Sequence, residues 1–314
     1  MNLLQAIKAA NQAGSILKRN HTFLIYGEPK TGKTRLVATI IKIPELKRIF
    51  WFDTENGIET ILTMYREGFF TNEEMEKVIL IRIPDTREQP TAIETMLKAI
   101  ASKNAVKICE EHGKVNCLDC TQKLKPVIGF DHKSLTPEDA IVIDSMSQVG
   151  ASALNAACIG KASEYKPTFD DYGACGKWLG DLCTVIQAAA YCHFFAVTHT
   201  LESTDEDTKK TTIYPLCGTK NFSMNFAKYF GNVIYTDKIL KKHKAISTTT
   251  GNQQTHAGSR LGLKLDSMAD PNLCTLLTDE KFFSVAEDTT TEVVQQPATE
   301  AKPKVVPNFL KKTN

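Results

Sequence analysis

The sequence predicts an α/β protein with a mostly parallel central sheet and helices on both faces of that sheet. The first observation is a series of short, continuously apolar segments separated by helical patterns, which is typical of strands buried on both faces. The second is the length of 314 residues, which is enough for one large α/β domain with additions. The strands are predicted at residues 21–26, 49–52, 78–81, 140–143, 193–197, 232–235 and 261–265.

Helices are predicted between these strands and before the first of them. Residues 34–41 follow the first strand and residues 91–101 follow the third. A helix from about residue 172 to 190 follows a long loop after the fourth strand. The amphipathic helix at residues 3–18 either contacts another subunit or covers the chain's own core, and the second alternative is the more frequent one.

The chain is predicted to form one domain over residues 1–284 and a tail over residues 285–314. From about Val285 the sequence is dominated by Thr, Glu, Gln, Pro and Lys and lacks an apolar pattern, so the tail is expected to be disordered. A small cysteine-rich insertion at about residues 104–125 interrupts the domain.

Composition and charge exclude several classes of protein. The net charge is +2, so the chain as a whole does not attract nucleic acid, and any DNA contact must come from local loops. No apolar run reaches the roughly 18 residues needed to cross a membrane, so no membrane association is expected. The chain has nine cysteines and begins without a basic-then-apolar signal pattern. These features predict a reducing, cytoplasmic location with thiols that are free or bound to metal.

The segment after the first strand fits the phosphate-binding P-loop pattern G-x-x-x-x-G-K-[ST]. A buried strand enters the segment and a helix leaves it, which is the context that this pattern requires. Backbone N–H groups of such a loop face the phosphates of a nucleotide. Lys33 is expected to reach the β- and γ-phosphates of ATP, and the Thr34 hydroxyl to bind Mg²⁺. The predicted nucleotide-binding residues of this segment are Gly27, Glu28, Pro29, Lys30, Thr31, Gly32, Lys33, Thr34 and Arg35.

Two carboxylates at strand ends complete the predicted nucleotide site. Residues 140–143 form an apolar strand that ends in Asp144, and a buried strand of this form delivers a carboxylate that holds Mg²⁺. Residues 49–52 form another strand, which is closely followed by Glu55. Hydrolysis of ATP needs a carboxylate that orients and polarises the attacking water. Glu55 is expected to do so from the end of a strand next to the P-loop strand, and the alternative is an exposed loop carboxylate.

Four further polar residues are candidates for contact with the γ-phosphate. His199 or Thr200, after the strand at residues 193–197, could contact this phosphate and transmit the change on its binding or loss to the following loop. A lone histidine is more often a structural residue, which is the alternative here. Arg260 is a candidate finger for the γ-phosphate bound by a neighbouring subunit, and Lys220 is a second candidate. An ordinary surface residue is the alternative for both.

The insertion carries four soft metal ligands within twelve residues, namely Cys109, His112, Cys117 and Cys120. This spacing predicts a tetrahedral Cys₃His zinc site, and a set of four protein ligands indicates a structural zinc ion. The surrounding residues are polar and cannot form a core of their own, so a metal would supply the stability that burial does not. Free thiols in a mobile loop are the alternative.

Together these segments resemble the RecA-like ATPase core. Within that group the chain is similar to compact phage-type ATPases of the ATP-binding or single-strand annealing type. The resemblance covers about residues 20–265 and rests on the P-loop and on four other segments. These are residues 51–57, 141–145, 197–200 and 221–235.

The resemblance implies a RecA-like fold and ATP-dependent work on single-stranded DNA in recombination or replication, with subunits that assemble around ATP. It gives the P-loop roles to Lys33 and Thr34, the Mg²⁺ role to Asp144, the water-activating role to Glu55 and the sensor position to His199. The implied partners are single-stranded DNA, further copies of the chain, and a single-strand binding protein or another replication or recombination protein. The implied location is the cytoplasm of a bacterial host.

Two segments are candidates for DNA contact, because binding of single strands requires basic grooves with aromatic stacking platforms. An acidic loop at residues 202–207 departs from the family, since it lies where a RecA-like protein has a DNA-contacting loop. The candidate residues are Lys161, Tyr165 and Lys166 in the first segment, and Lys209, Lys210 and Tyr214 in the second.

Two alternatives to a recombination ATPase stay open. The first is a replicative-helicase-like motor or loader, which predicts strand unwinding. The second is a nucleotide-gated interaction protein that binds ATP and barely turns it over, which predicts that Glu55→Gln changes little.

Overall fold

The computed structural model describes residues 21–101, 105–188, 192–239, 242–247, 254–265, 268 and 270–278. The helix predicted at residues 3–18 and the tail predicted at residues 285–314 lie outside the described residues, so both stay predictions. Within the described part of the chain, no helix is long and apolar enough to cross a membrane.

Twelve strands lie within the described residues, and eight of them form one central sheet. In chain order the strands are β1 (Thr22–Gly27), β2 (Arg48–Asp53), β3 (Val78–Arg82), β4 (Val106–Cys109), β5 (Val127–Phe130), β6 (Asp139–Asp144), β7 (His193–Thr198), β8 (Thr200–Thr204), β9 (Thr211–Pro215), β10 (Asn232–Ile239), β11 (Lys242–Ile246) and β12 (Gly258–Ser259). The α-helices of the same residues are α1 (Lys33–Ala38), α2 (Ile58–Arg66), α3 (Asn72–Glu76), α4 (Thr91–Met96), α5 (Leu118–Gln122), α6 (Met146–Ala157), α7 (Phe169–Ala188), α8 (Lys220–Phe226) and α9 (Leu273–Thr278).

The central sheet has the strand order β11-β10-β1-β7-β6-β2-β3, with β12 paired to β10. The six strands from β10 to β3 are parallel, and only β11 and β12 run antiparallel, each to β10. This order confirms the mostly parallel sheet. The expectation that the strand before Glu55 lies next to the P-loop strand is wrong, because β7 and β6 lie between β1 and β2. The carboxyl ends of the parallel strands nevertheless share one edge of the sheet, where a ligand site is expected.

Helices cover both faces of this sheet, as the sequence predicted. Alternate residues of each strand point to opposite faces, so Leu24 and Tyr26 belong to one apolar core, while Phe23 and Ile25 belong to the other. Helices α4, α6, α7 and α8 contribute to the first core, and α1, α2 and α9 to the second. The strands are buried on both faces, which explains their continuous apolar sequences.

Helix α6 occupies the beginning of the segment that was expected to be a long loop, so that expectation is wrong. The Ser145 side chain caps this helix by accepting a hydrogen bond from the Gln148 N–H. Its many small residues give α6 the composition of a loop, but their role is to let the helix pack closely against neighbouring backbone. A Cβ atom on Gly150 would lie 2.2 Å from the backbone nitrogen of Gly218.

The strand predicted at residues 261–265 is also wrong, since β12 lies earlier and the predicted residues are irregular. Leu263 and Leu265 are buried in the core, which accounts for the strand-like alternation of apolar residues. The hydroxyl of Ser247 donates to the Leu263 carbonyl at 2.6 Å and accepts from the Leu265 N–H at 3.0 Å. One side chain therefore satisfies the backbone groups that a neighbouring strand would otherwise pair.

Candidate nucleotide-binding site and cysteine cluster

The P-loop of residues 27–34 connects β1 to α1 at the carboxyl edge of the sheet. Gly32 and Lys30 adopt left-handed conformations with φ values of 93° and 65°. A Cβ atom on Gly27 would lie 2.3 Å from the carbonyl oxygen of Thr236, so only glycine fits there. These constraints explain why the loop requires glycine at both positions of its pattern.

The ammonium group of Lys33 is folded into the P-loop. It donates to the carbonyl oxygens of Gly27 at 2.9 Å and of Glu28 at 2.8 Å. Burial lowers the pKa of Lys33 to about 8, although the neighbouring carboxylates, with Asp144 the strongest, oppose this shift. The positive charge of Lys33 is thus held where the loop would enclose a phosphate chain. Burying this charge costs free energy, and binding of an anionic ligand would offset that cost.

Thr34 in α1 and Asp144 at the end of β6 meet at the carboxyl edge, although β7 separates β6 from the P-loop strand β1. The Thr34 hydroxyl donates to Oδ2 of Asp144 at 3.0 Å. Burial raises the pKa of Asp144 to about 7, with further contributions from the charges of Asp53 and Glu55. A Cβ atom on Gly57 would lie 2.4 Å from the same Oδ2. One hydroxyl and one carboxylate oxygen fit the ligand preference of Mg²⁺.

Glu55 reaches this site from the end of β2. Its Oε1 accepts a hydrogen bond from the Ser145 hydroxyl at 2.6 Å, and its Oε2 lies 3.2 Å from Nε2 of His199. Burial opposes ionisation, but these two hydrogen bonds outweigh it and hold the pKa of Glu55 below its usual value. The side chain is 31% exposed, so water has access to an ionised carboxylate beside the P-loop.

The loop that carries Glu55 is shaped by Asp53. The Asp53 carboxylate accepts from the backbone N–H groups of Gly57 at 2.8 Å, Ile58 at 3.1 Å and Glu55 at 3.3 Å. Three backbone bonds to one buried carboxylate fix the turn between β2 and α2. Asp53 is therefore a structural residue of the site, a role that the sequence analysis did not identify.

His199 links the site to the strand pair β8–β9. Its N–H donates to the Ser147 hydroxyl at 2.8 Å, and that hydroxyl lies 2.9 Å from the hydroxyl of Thr198. The Nδ1 atom of His199 is buried without a hydrogen-bond partner among the described residues. The next residue, Thr200, begins β8 and donates from its hydroxyl to the carboxylate of Glu28 in the P-loop. Both candidates for phosphate sensing thus lie beside the P-loop.

The other predicted P-loop residues differ in exposure, and Thr31 is buried. Residues 28–30 are exposed. Arg35 forms an ion pair with Glu67 at 3.7 Å, and its guanidinium lies 5.7 Å from the ring centre of Phe69.

Arg260 lies apart from the site of its own chain. The Arg260 N–H donates to the carbonyl of Gly231 at 3.1 Å, and the Gly231 N–H donates to the hydroxyl of Thr22 at 2.8 Å. Thr22 begins β1, so Arg260 is separated from the P-loop by the length of that strand, about 16 Å. Lys220 is exposed at the first residue of α8. Only contact with another subunit's nucleotide is compatible with the role predicted for Arg260.

The four predicted zinc ligands converge in the insertion. The Sγ atoms of Cys109, Cys117 and Cys120 lie 3.9, 3.7 and 3.3 Å from Nδ1 of His112. All four ligand atoms lie within 4.8 Å of one another. Tetrahedral zinc with ordinary bond lengths separates sulfur and nitrogen ligands by about 3.6 Å. The arrangement therefore fits zinc without rearrangement of the backbone.

The cysteine cluster is docked on the ATPase core. A Cβ atom on Gly113 would lie 2.5 Å from the carbonyl oxygen of Arg82 at the end of β3. The Gly113 carbonyl accepts a buried hydrogen bond of 2.7 Å from the Thr95 hydroxyl in α4. Phe130, which ends the insertion's second strand, packs edge-on against Phe50 and Phe52 of β2. Strands β4 and β5 thus hold the cluster against the sheet edge.

The fold and the site define a RecA-like P-loop ATPase with a small cysteine-rich insertion. Residues 19–261 match the AAA domain family, and because this match covers well over half of the chain, the protein belongs to that family. Membership implies binding of a nucleotide and Mg²⁺. No curated protein sequence matches the chain.

Several solved structures are similar in fold. An ATPase from the type III secretion system of pathogenic bacteria is 15% identical, with a TM-score of 0.41 over 70% of this chain and 52% of that one. The RadB recombinase is also 15% identical, with a TM-score of 0.37 over 73% and 80% of the two chains. The flagellar accessory protein FlaH from Methanocaldococcus jannaschii is 12% identical, with a TM-score of 0.38 over 72% and 76%. The chain spans about half the length of the secretion ATPase, and these likenesses concern the fold alone.

Proposed function

We propose that this ATPase couples hydrolysis of ATP to work on single-stranded DNA, in recombination or annealing of the phage type. The observation that carries the catalytic part is the convergence of Lys33, Thr34, Asp144 and Glu55 at one sheet edge. The DNA part is supported by a segment with an exposed aromatic side chain and two lysines.

In the proposed mechanism, Glu55 accepts a hydrogen bond from water and aims its oxygen at the γ-phosphate. Ser145 and His199 hold the Glu55 carboxylate in place through both of its oxygens. Lys33 leaves the loop carbonyls for the β- and γ-phosphate oxygens and stabilises the charge that develops on them. Thr34 and Asp144 are the residues that would hold Mg²⁺, which would supply further positive charge against the developing anion.

The proposed sensor is His199. Its buried, unpartnered Nδ1 supports this role, because a buried polar atom without a partner is costly unless a ligand or water pairs with it. His199 immediately precedes β8, so a change at the γ-phosphate reaches the β8–β9 pair through one peptide bond.

The segment that runs from the end of α6 into the first turn of α7 is the proposed DNA contact, and we name it the 159–172 segment. Its apolar side chains are unusually exposed, with Phe169 95% and Ile159 60% accessible. The Lys161 ammonium lies 5.3 Å from the ring centre of Tyr165, and Lys166 is exposed. An exposed ring such as Phe169 can stack on a base of a single strand, and lysines can neutralise its phosphates. The segment also carries Glu164, Asp170 and Asp171, so its aromatic side chains support the contact more than its charge does.

The β8–β9 pair is the weaker of the two predicted DNA contacts. It carries the acidic residues 202–207, which repel phosphates. Its aromatic residue Tyr214 is already stacked on His256, with ring centres 4.7 Å apart. The lysines Lys209 and Lys210 are exposed, but they offer no free ring beside them.

Substitutions in the 159–172 segment test the DNA contact. Phe169→Ala is expected to weaken binding of a single-stranded oligonucleotide by about 5- to 100-fold, the effect of one lost stacking platform. Lys161→Ala is expected to reduce the slope of log affinity against log salt by about 0.7. Fluorescence anisotropy across a salt series measures both. Lys133→Ala, an exposed lysine outside the segment, is the control, and equal affinities for all three variants would rule out this contact.

Self-association is proposed because Arg260 can reach only a nucleotide bound by another subunit, and Lys220 is exposed. In an assembly of RecA-like subunits, either residue would supply positive charge to the neighbour's γ-phosphate. A single-strand binding protein or another replication or recombination protein is the proposed further partner.

We also propose that the cysteine cluster holds a structural zinc ion. Its support is the match between the ligand separations and tetrahedral zinc, and the donor set of three thiolates and one imidazole. Four protein ligands leave no open position for a reacting water. The ion would stabilise the β4–β5 insertion and so its contact with β3 and α4.

Metal analysis tests this site. Protein purified without chelator is expected to contain about one equivalent of zinc, and Cys120→Ser less than about a tenth, because one lost thiolate breaks the tetrahedral set. Cys158→Ser, at a half-buried cysteine outside the cluster, is the matched control and should keep the metal. Wild-type protein with less than about a tenth of an equivalent would refute the zinc proposal.

A further inference from the structure

The P-loop is held from outside by two side chains of the antiparallel strands β10 and β11. Thr236 of β10 lies opposite Ala245 of β11, and Lys238 lies opposite His243. Residues two apart on a strand share a face, as do residues directly opposite each other. Thr236 and His243 therefore project from the same face of the strand pair, which is the face that meets the P-loop.

Both side chains contact Thr31, the residue that precedes the second glycine of the loop. The hydroxyls of Thr236 and Thr31 lie 2.8 Å apart in a buried contact. On the other side, Nδ1 of His243 lies 2.9 Å from the carbonyl oxygen of Thr31. Since a carbonyl only accepts, the Nδ1–H of His243 is the donor. The side chain and the carbonyl of Thr31 are thus both fixed by residues more than 200 positions later in the sequence.

The imidazole also limits the space around Gly32. A Cβ atom on Gly32 would lie 2.7 Å from Nδ1 and 3.0 Å from Cγ of His243. Gly32 has a φ of 93°, a left-handed conformation that favours glycine. The ring therefore supports the backbone at the point where the loop must present its N–H groups to a phosphate.

We propose that His243 is a positioning residue for nucleotide binding, which holds the P-loop in its phosphate-binding conformation through Thr31 and Gly32. The proposal rests on the nucleotide site described above and adds to it a residue on the antiparallel edge of the sheet. His243 contacts the loop and not the reacting atoms, so its loss should weaken binding of the nucleotide and leave the chemical step intact.

The test compares three substitutions of His243 by titration with a fluorescent ATP analogue and by steady-state hydrolysis. His243→Ala is expected to raise the Kd and the KM for nucleotide about tenfold, as expected for one lost hydrogen bond. Its kcat should stay within about twofold of wild type, since the chemical step is untouched. His243→Leu keeps the bulk of the side chain but lacks a hydrogen-bond donor, so it should behave like His243→Ala. His243→Asn places an amide nitrogen where Nδ1 lies and should restore binding.

Two comparisons separate the outcomes. Lys242→Ala, an exposed neighbour on the same strand, should bind nucleotide like wild type, and thermal melting without nucleotide reports whether each variant folds. If wild type binds ATP and His243→Ala binds it equally well, His243 is not a positioning residue while the P-loop site stands. A fall in kcat at unchanged Kd would also overturn the proposal. If wild type itself does not bind nucleotide, the site and the proposal are both wrong.

Discussion

Replacing Lys33 by alanine is expected to reduce ATP hydrolysis at least about 100-fold, the effect of removing one preorganised charge from a developing anion. In the free protein the Lys33 ammonium is already inside the loop, bonded to two carbonyl oxygens. No other lysine or arginine among the described residues donates to these loop carbonyls. Release of phosphate under saturating ATP measures the effect.

The control for Lys33→Ala is Lys47→Ala, which removes an exposed lysine paired with Glu138. This variant should hydrolyse ATP at the wild-type rate. Because the buried ammonium also costs energy in the free protein, Lys33→Ala should not lower the melting temperature strongly. Hydrolysis by Lys33→Ala at close to the wild-type rate would show that the activity belongs to a contaminating ATPase or to another site.

Glu55→Gln is expected to lower kcat by about 100- to 1,000-fold while binding of ATP changes by less than about threefold. Glutamine keeps the shape and can still accept the hydrogen bond from Ser145, but it has no charge with which to polarise water. Glutamine also removes the negative charge that faces Nε2 of His199. Steady-state kinetics together with a direct binding titration separate the two quantities.

Glu59→Gln, an exposed glutamate in the first turn of α2, is the matched control for Glu55→Gln and should be unaffected. Unchanged turnover in Glu55→Gln would remove the proposed water-activating role. Together with a very low turnover in wild type, that result would favour the alternative of a nucleotide-gated interaction protein.

The parts of the site that sequence predicted are contiguous patterns. The P-loop and its two flanks lie within twenty residues, as do the four ligands of the cysteine cluster, and Asp144 directly follows an apolar strand. Local spacing fixes such geometry, because the chain between the residues is too short to separate them. The buried strands were found for a similar reason, since their apolar runs follow from burial on both faces.

The parts that sequence did not predict depend on which strands become neighbours. The contact of Glu55 with Ser145 and His199 joins the ends of β2, β6 and β7, and no pattern within one segment encodes that order. The hydrogen bond of His243 to Thr31 requires the antiparallel pairing of β11 with β10. Helix α6 was mistaken for a loop because its small residues serve helix packing rather than flexibility.

Steady-state ATP hydrolysis with and without single-stranded DNA tests the central claim most directly, with Lys33→Ala as the blank. We expect DNA to raise the wild-type rate several-fold, Phe169→Ala to lose most of that increase, and the blank to stay inactive. Annealing without unwinding would then favour a recombination protein over a helicase-like motor. Hydrolysis that is identical with and without DNA would contradict the coupling, and the family's ATPase fold would have to serve a protein partner instead.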